Sequence, residues 1–489
     1  MFPCRLMTRE AHLASGGKSR GKPISLKRLA PDLAFIALVL GLPFGLCSAR
    51  MVFRDGDVSW QVAAGRWMLQ HGRIPTSDPF SYTAFGRPWV TMEWLAQVIY
   101  GSVFNVGGYA GLATVVSGAV IALFAILYFH LQRRTSLLVT AITLLLVAVV
   151  IQPFILARPH VLAWVLVAGW TVLLSQAAER NGPPPLWAVL ILVIWTNLHA
   201  SFPLAILIEG AIAFDSLTGS GWSTIRPWLL FGLASVAALM LNANGLPGLR
   251  QPFETTSLPT LHFIAEWNAS TTNSTPEFFA ALVIGIGALL YSGARAPAGR
   301  LALILVLLWL AFLHVRHQSF FIIVAACVLP SLASRQPFAA RTPWWLLAGA
   351  IPLLFFQAMS PNLPPEGGGN PRGLIAAIPP EFRNRPVLNE YSFGGPLILA
   401  GIRPFIDGRA EIYSDAFVAN YFKISAGDMN AFDDTVRRYG IEWIMLSRGQ
   451  DNLIRSVEAS GQWRRVYADK IGVIDVRQAP TGEGVRGRR

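Results

Sequence analysis

Long apolar runs alternate with short polar ones over the first 360 residues, and the runs approach the length of one bilayer crossing, about 20 apolar residues. The first, from about Leu33 to Cys47, follows a tail carrying Arg5, Arg9, Lys18, Arg20, Lys22, Lys27 and Arg28. Cys47-Ser48-Ala49-Arg50 makes a poor cleavage site, so this run reads as a retained span rather than a signal peptide. Further spans are expected near 109–129, 136–155, 161–176, 186–199, 203–218, 227–243, 277–293, 301–315, 319–334 and 343–360, about eleven in all. After Ser360 the pattern changes. Residues 361–372 are rich in proline and glycine and read as a linker, and 479–489 as a disordered tail. Between them, strands are expected at 386–391, 403–407, 442–446 and 471–476, with helices near 416–438 and 450–460. The expected architecture is an α-helical polytopic membrane domain (31–360) behind a basic tail (1–30), joined to a small C-terminal α/β domain (373–478) with one mixed sheet.

Composition supports that reading and narrows it. Hydrophobic residues make up 53% of the chain and charged ones only 14%, a balance no ordinary soluble domain needs. The formal net charge of +13 has a simpler use in such a chain than binding nucleic acid, because basic residues retain loops in the cytoplasm. Arg133-Arg134, Arg180, Arg226, Arg295 with Arg300, and Arg335 with Arg341 all fall on one side of the span count. That side is the cytoplasm, with the N-terminus, and the C-terminal domain lies outside. Cys4, Cys47 and Cys327 sit in the tail or in apolar segments and suggest neither a disulfide framework nor a cysteine metal site.

The same count gathers a polar set at the opposite, external span ends. It comprises Arg54-Asp55-Gly56-Asp57, Arg158 with His160, Asn197 with His199, Asn242 with Asn244, Glu266, and His314 with Arg316 and His317. Ionisable groups at such depths usually line a cavity, since lipid exposure is expensive. Helix capping and headgroup contact would use the same residue types. Arg158, His160, His314, Arg316 and His317 suit a phosphate, because guanidinium forks onto phosphate oxygens. Asn197, His199 and Asn244 suit sugar hydroxyls, and Glu266 a second acid. His314 and His317 stand three apart, but no Glu-x-x-His motif accompanies them, which favours phosphate over metal.

The external loop 50–93 is the richest segment. Trp60, Ala63, Ala64, Trp67 and Met68 follow a helical spacing and predict a tryptophan-edged helix lying in the membrane interface. The acidic pair after the first span, this helix, and the run GRIPTSDPFSYTAFGRPWVTMEWL resemble the bacterial branch of the GT-C superfamily of membrane glycosyltransferases. The resemblance implies a multi-span core and a polyprenyl-phosphate sugar donor in the membrane lipid. It also implies an acceptor outside the cytoplasm and a bacterial inner-membrane location. It gives Asp55 and Asp57 a catalytic role, as general base or as holders of the acceptor or a divalent cation, the one cofactor left open. Residues two apart in an extended segment face the same side about 6 to 7 Å apart, so both carboxylates would reach one acceptor or ion. Gly56 departs from the adjacent acidic pair common in that superfamily. A calcium site or a plain turn would use the same short pattern.

Two other classes compete. A transporter or flippase of lipid-linked saccharides should place polar groups near mid-span, whereas here they concentrate at one face. The other is a non-catalytic envelope assembly protein descended from such glycosyltransferases, which the intact acidic loop counts modestly against. In the C-terminal domain, Asn389-Glu390-Tyr391-Ser392-Phe393-Gly394-Gly395 and Asp407-Gly408-Arg409-Ala410-Glu411-Ile412-Tyr413 are dense points, read either as a surface that contacts the acceptor or closes over the site, or as turn chemistry.

Overall fold

The computed structural model describes residues 26–220, 225–333, 337–338, 341–360 and 363–478. Most of the N-terminal tail, Arg335 and the 479–489 tail lie outside the described residues. The chain is mainly helical with one small sheet. Four described helices are long and apolar enough to cross a membrane: Leu29–Leu46, Trp94–Leu131, Leu137–Phe154 and Pro159–Ala178. Six shorter apolar helices, of 10–17 residues, occupy other expected spans, so the figure of eleven is met in length and composition at four places. Prolines open several helices, as at Pro159, Pro203 and Pro276, where a missing N–H costs nothing.

The Trp94–Leu131 helix has 38 residues and would be roughly 57 Å long at 1.5 Å per residue, against an apolar bilayer core of about 30 Å. Gly108 resolves the excess. Its φ of 55° and ψ of −142° break the helix, a conformation a side chain would resist. The apolar core of the helical part centres on the portion after this kink, with Val116, Val120, Leu123 and Phe124 packed beside Trp164, Val167 and Trp170 of the Pro159–Ala178 helix.

The loop helix, Asp57–His71, differs from expectation in its surroundings. Trp60, Ala64 and Met68 do not form a free interfacial stripe; they are buried in a second core with Ala84, Trp89, Leu388, Ile398, Phe405 and Ile406. The stripe is the seam between the first loop and the C-terminal part.

The C-terminal sheet runs β1 (Val387–Asn389), β2 (Trp443–Ser447), β4 (Gly472–Arg477), β3 (Trp463–Ala468), with β1 and β2 parallel and the other pairs antiparallel. The mixed sheet is as expected, but the strand at 403–407 is absent. Pro404 has no N–H to give a ladder. The segment's polar groups are met by one side chain: the Phe405 N–H donates to Asn389 Oδ1 at 2.8 Å, and Asn389 Nδ2 donates to the Ile406 carbonyl at 2.9 Å. β3 went unpredicted because Arg464 and Arg465 interrupt its apolar alternation.

Candidate active site

Arg158 is the centre of the site. It precedes Pro159, which disfavours helical backbone before it, and its φ of −116° and ψ of 155° are extended. Its side chain therefore leaves the helix start toward the first loop. There it meets Asp55 through Nε and Asp57 through Nη2, the latter at 2.7 Å, while Nη1 lies 3.0 Å from Glu266. Arg316 continues the chain, 3.4 Å from Glu266, with its guanidinium 4.3 Å from the centre of the Trp267 ring. Three carboxylates thus converge on one guanidinium.

The backbone achieves this differently from the extended segment the sequence suggested. Gly56 is in the helical region, φ −70° and ψ −23°, and Asp57 opens the helix. Glycine is required there for another reason: a Cβ at Gly56 would lie 2.1 Å from the Ser392 carbonyl oxygen of the C-terminal part. The Asp57 N–H donates to Asp55 Oδ1 at 3.2 Å, which ties the pair together.

These groups line a cavity of about 280 Å3. Asp55, Asp57, Arg158, His160, His199, Glu266, Arg316 and His317 all border it, and so does Glu93, which sequence reasoning passed over. Gln61 Nε2 donates to Glu93 Oε2 at 2.9 Å, and His199 Nε2 lies 3.5 Å from its other oxygen. The Ser201 N–H donates to His199 Nδ1, so the ring proton sits on Nε2, facing Glu93. The remaining expected residues do not border the cavity. Asn197 Oδ1 accepts from Trp94 Nε1 and the Ala243 N–H, while its Nδ2 donates to the Val193 and Leu241 carbonyls. Asn244 Nδ2 donates to the Thr91 carbonyl and His314 Nδ1 to that of Trp267. All three join the walls.

The outer wall comes from the C-terminal part, through Tyr391, Ser392, Gly408, Ala410 and Glu411. They belong to the two dense stretches of the C-terminal domain that read either as a surface closing over the site or as turn chemistry, and none is among the individual residues the sequence marks for catalysis or substrate. Gly408 abuts Asp57 so closely that a Cβ there would lie 1.8 Å from Asp57 Oδ1. Glu411 Oε1 accepts from Trp89 Nε1 at 3.3 Å.

The electrostatics separate the acids. Burial pushes Asp57 above the ordinary carboxylate range, against the pull of Arg158. Burial likewise pushes Glu93 up to about 7. Glu266 goes the other way: burial acts to raise it, but Arg158 and Arg316 outweigh that and hold it at about 2. Glu266 is a fixed anion clamping two arginines, whereas Asp57 and Glu93 are suited to proton exchange. A divalent cation between Asp55 and Asp57 does not fit this arrangement, since the Arg158 guanidinium occupies that place. Among the described residues no group of three or more His, Cys, Asp or Glu side chains is gathered to hold an ion.

The site is thus a polar cavity of a mainly helical body, closed by a loop helix and a C-terminal α/β part. The chain matches no protein-family model and no curated protein. Among solved structures it is similar to the oligosaccharyltransferase of Archaeoglobus fulgidus in the apo form, with a TM-score of 0.54 at 12% identity over 86% of this chain and 69% of that one. The same enzyme tethered with an acceptor peptide containing the NVT sequon superposes with a TM-score of 0.51 at 11% identity, over 93% and 74%. Its complex with an inhibitory peptide and a dolichol-phosphate gives 0.50 at 11% identity, over 86% and 69%. The chain therefore has the GT-C fold, shared with glycosyltransferases that are polytopic membrane proteins.

Proposed function

We propose that the protein is a bacterial inner-membrane glycosyltransferase that moves a sugar from a polyprenyl-phosphate donor to an acceptor outside the cytoplasm. The observation that carries this reading is the convergence of Asp55, Asp57 and Glu266 on Arg158 at a cavity between a helical membrane body and the C-terminal part. That an archaeal enzyme of this fold is known with a dolichol-phosphate and with acceptor peptides supports a lipid-phosphate donor and an external acceptor.

In this reading Asp57 is the general base. It accepts the proton of the acceptor hydroxyl as that oxygen bonds to the anomeric carbon, and the bond from that carbon to the phosphate oxygen breaks, releasing polyprenyl phosphate. A base works best when its pKa is lifted toward the operating pH, and burial does this for Asp57. Arg158 keeps both aspartates aimed at one point. Arg316 and His317 face the leaving phosphate, and His160 and His199 the sugar. The concentration of these groups in one cavity also separates this reading from a flippase, which needs a polar route through the bilayer.

The test compares cell-surface glycans and glycolipids from cells carrying the wild type with those carrying Asp55→Asn or Asp57→Asn at matched protein levels. Asp57→Asn is expected to lower transfer on the order of 10²-fold to 10⁴-fold. Full transfer by both variants would remove the catalytic assignment.

A further inference from the structure

A second cavity, of about 350 Å3, opens where the first loop meets the C-terminal sheet. Three arginines, Arg383, Arg385 and Arg403, line it together with Tyr82 and Asn384. Arg385 pairs at 3.0 Å with Glu442, which is not part of the lining. Arg403 stacks over Phe85, its guanidinium 4.6 Å from the ring centre. Among the described residues neither Arg383 nor Arg403 has an acidic partner. Acidic and basic residues balance across 363–478, so this concentration is local and does not follow from the charge of the C-terminal part as a whole.

The cavity is firmly mounted. Tyr82 OH donates to the Val387 carbonyl at 2.8 Å, and the Tyr82 N–H donates to the Pro404 carbonyl at 3.3 Å. Guanidinium groups gathered at one opening repel each other, and a carboxylate or phosphate that forks onto them removes the repulsion while making charge-assisted hydrogen bonds.

Its position relative to the first cavity gives the ligand a length. Arg403-Pro404-Phe405-Ile406-Asp407-Gly408 runs as one segment from the arginine cavity to the contact with Asp57. Five residue steps span at most about 17 Å even when fully extended. A linear acceptor of several sugars, as long as that segment, would reach both places. Asn389 fixes Phe405 and Ile406 between them, so the spacing is set by the fold.

We propose that the Arg383, Arg385 and Arg403 cavity is an anion subsite for the acceptor, holding a carboxylate or phosphate of an acidic glycan whose reacting hydroxyl lies at Asp57. This rests on the transferase reading for the identity of the ligand, though binding is measured independently of transfer.

The test uses the full chain in nanodiscs of phosphatidylcholine, so that no anionic lipid competes. Trigalacturonate is the acidic probe, maltotriose its neutral counterpart, and inorganic phosphate the free-anion control. Trigalacturonate is expected to bind and maltotriose not to. The Arg383→Gln/Arg403→Gln double variant, changed only at exposed positions, should weaken trigalacturonate binding roughly tenfold or more, as loss of charge-assisted hydrogen bonds implies, while its thermal melt stays like the wild type. Replacement of both by lysine should restore part of the affinity. Undiminished binding in the double Gln variant, or equal binding of maltotriose, would overturn the subsite. Inorganic phosphate binding as tightly as trigalacturonate would overturn the glycan assignment. If deleting the protein left the cell-surface glycans and glycolipids unchanged while the arginine variants lost trigalacturonate, the transferase reading would fall and the anion subsite would stand.

Discussion

Arg409 and Arg158 each hold a cluster of carboxylates, and they do so in opposite ways. Arg409 is sealed: neither its side chain nor those of Asp78 and Asp407 has any solvent exposure. Its guanidinium donates to Asp78 at 2.7 Å and to both Asp407 oxygens at 2.8 and 2.7 Å, and Tyr413 OH also donates to Asp407. The rings of Trp89 and Phe80 stand 4.8 and 5.2 Å from it. Two charges balance one there, with every strong donor and acceptor used inside the cluster. Arg158 balances three carboxylates, and its side chain and theirs are 17% to 32% exposed to the cavity. The sealed cluster joins the first loop to the C-terminal part; the open one retains polar surface that a substrate can meet. Burial of an ion pair is weak evidence for net stability, but removing one partner of a sealed pair is costly.

The same substitution at each arginine separates the roles. Arg409→Met strands Asp78 and Asp407 and is expected to cost about 3–5 kcal/mol, read as an early thermal transition in detergent and as proteolysis between the loop and the C-terminal part. Arg158→Met should leave the melt much closer to wild type, because water reaches its partners, yet lower transfer on the order of 10²-fold to 10³-fold through loss of the charge that orders the acids. Equal destabilisation by both variants would erase the distinction.

The difference also explains what was legible in the sequence. Asp55, Asp57, Arg158 and Arg316 stand out because a charge near the end of a long apolar run is conspicuous, and the span count alone puts them, with Glu266, on one face. Arg409 and Asp78 give no such signal, since a loop rich in polar residues hides a buried pair 331 positions apart. The missing 403–407 strand has the same origin. A short segment with Phe405 and Ile406 between Arg403 and Asp407 looks like a strand, and nothing local announces that Asn389 satisfies its backbone. The span count is harder to read because helices such as Ile225–Leu239 are shorter than a standard crossing and depend on their neighbours for length and tilt.

Gly408 links the two clusters, being flanked by Asp407 and Arg409 and pressed against Asp57. Its φ lies outside the left-handed region, so an alanine there fits the backbone, and its Cβ meets the Asp57 carboxylate first. Gly408→Ala is therefore expected to lower transfer about 10-fold to 10²-fold by displacing the base, while the melt and donor binding change little. A variant with normal turnover would detach the C-terminal wall from catalysis and leave it a purely structural closure.

The smallest expected effect is a shift in pH dependence, and its sign reports how Glu266 acts on Asp57. A base must be ionised to act, so in the role proposed for Asp57 transfer rises with pH through its pKa, which burial lifts above its ordinary value of about 3.9. The acid limb of kcat/KM should accordingly lie above the usual carboxylate range. Glu266 contributes to that elevation, because its negative charge disfavours a second anion at Asp57. Removing the charge with Glu266→Gln lowers the Asp57 pKa and moves the limb to lower pH, an effect that a merely structural role for Glu266 would not produce. Movement of the limb to higher pH would mean that Glu266 acts chiefly by holding Arg158 near the aspartates, since a displaced Arg158 raises the Asp57 pKa instead.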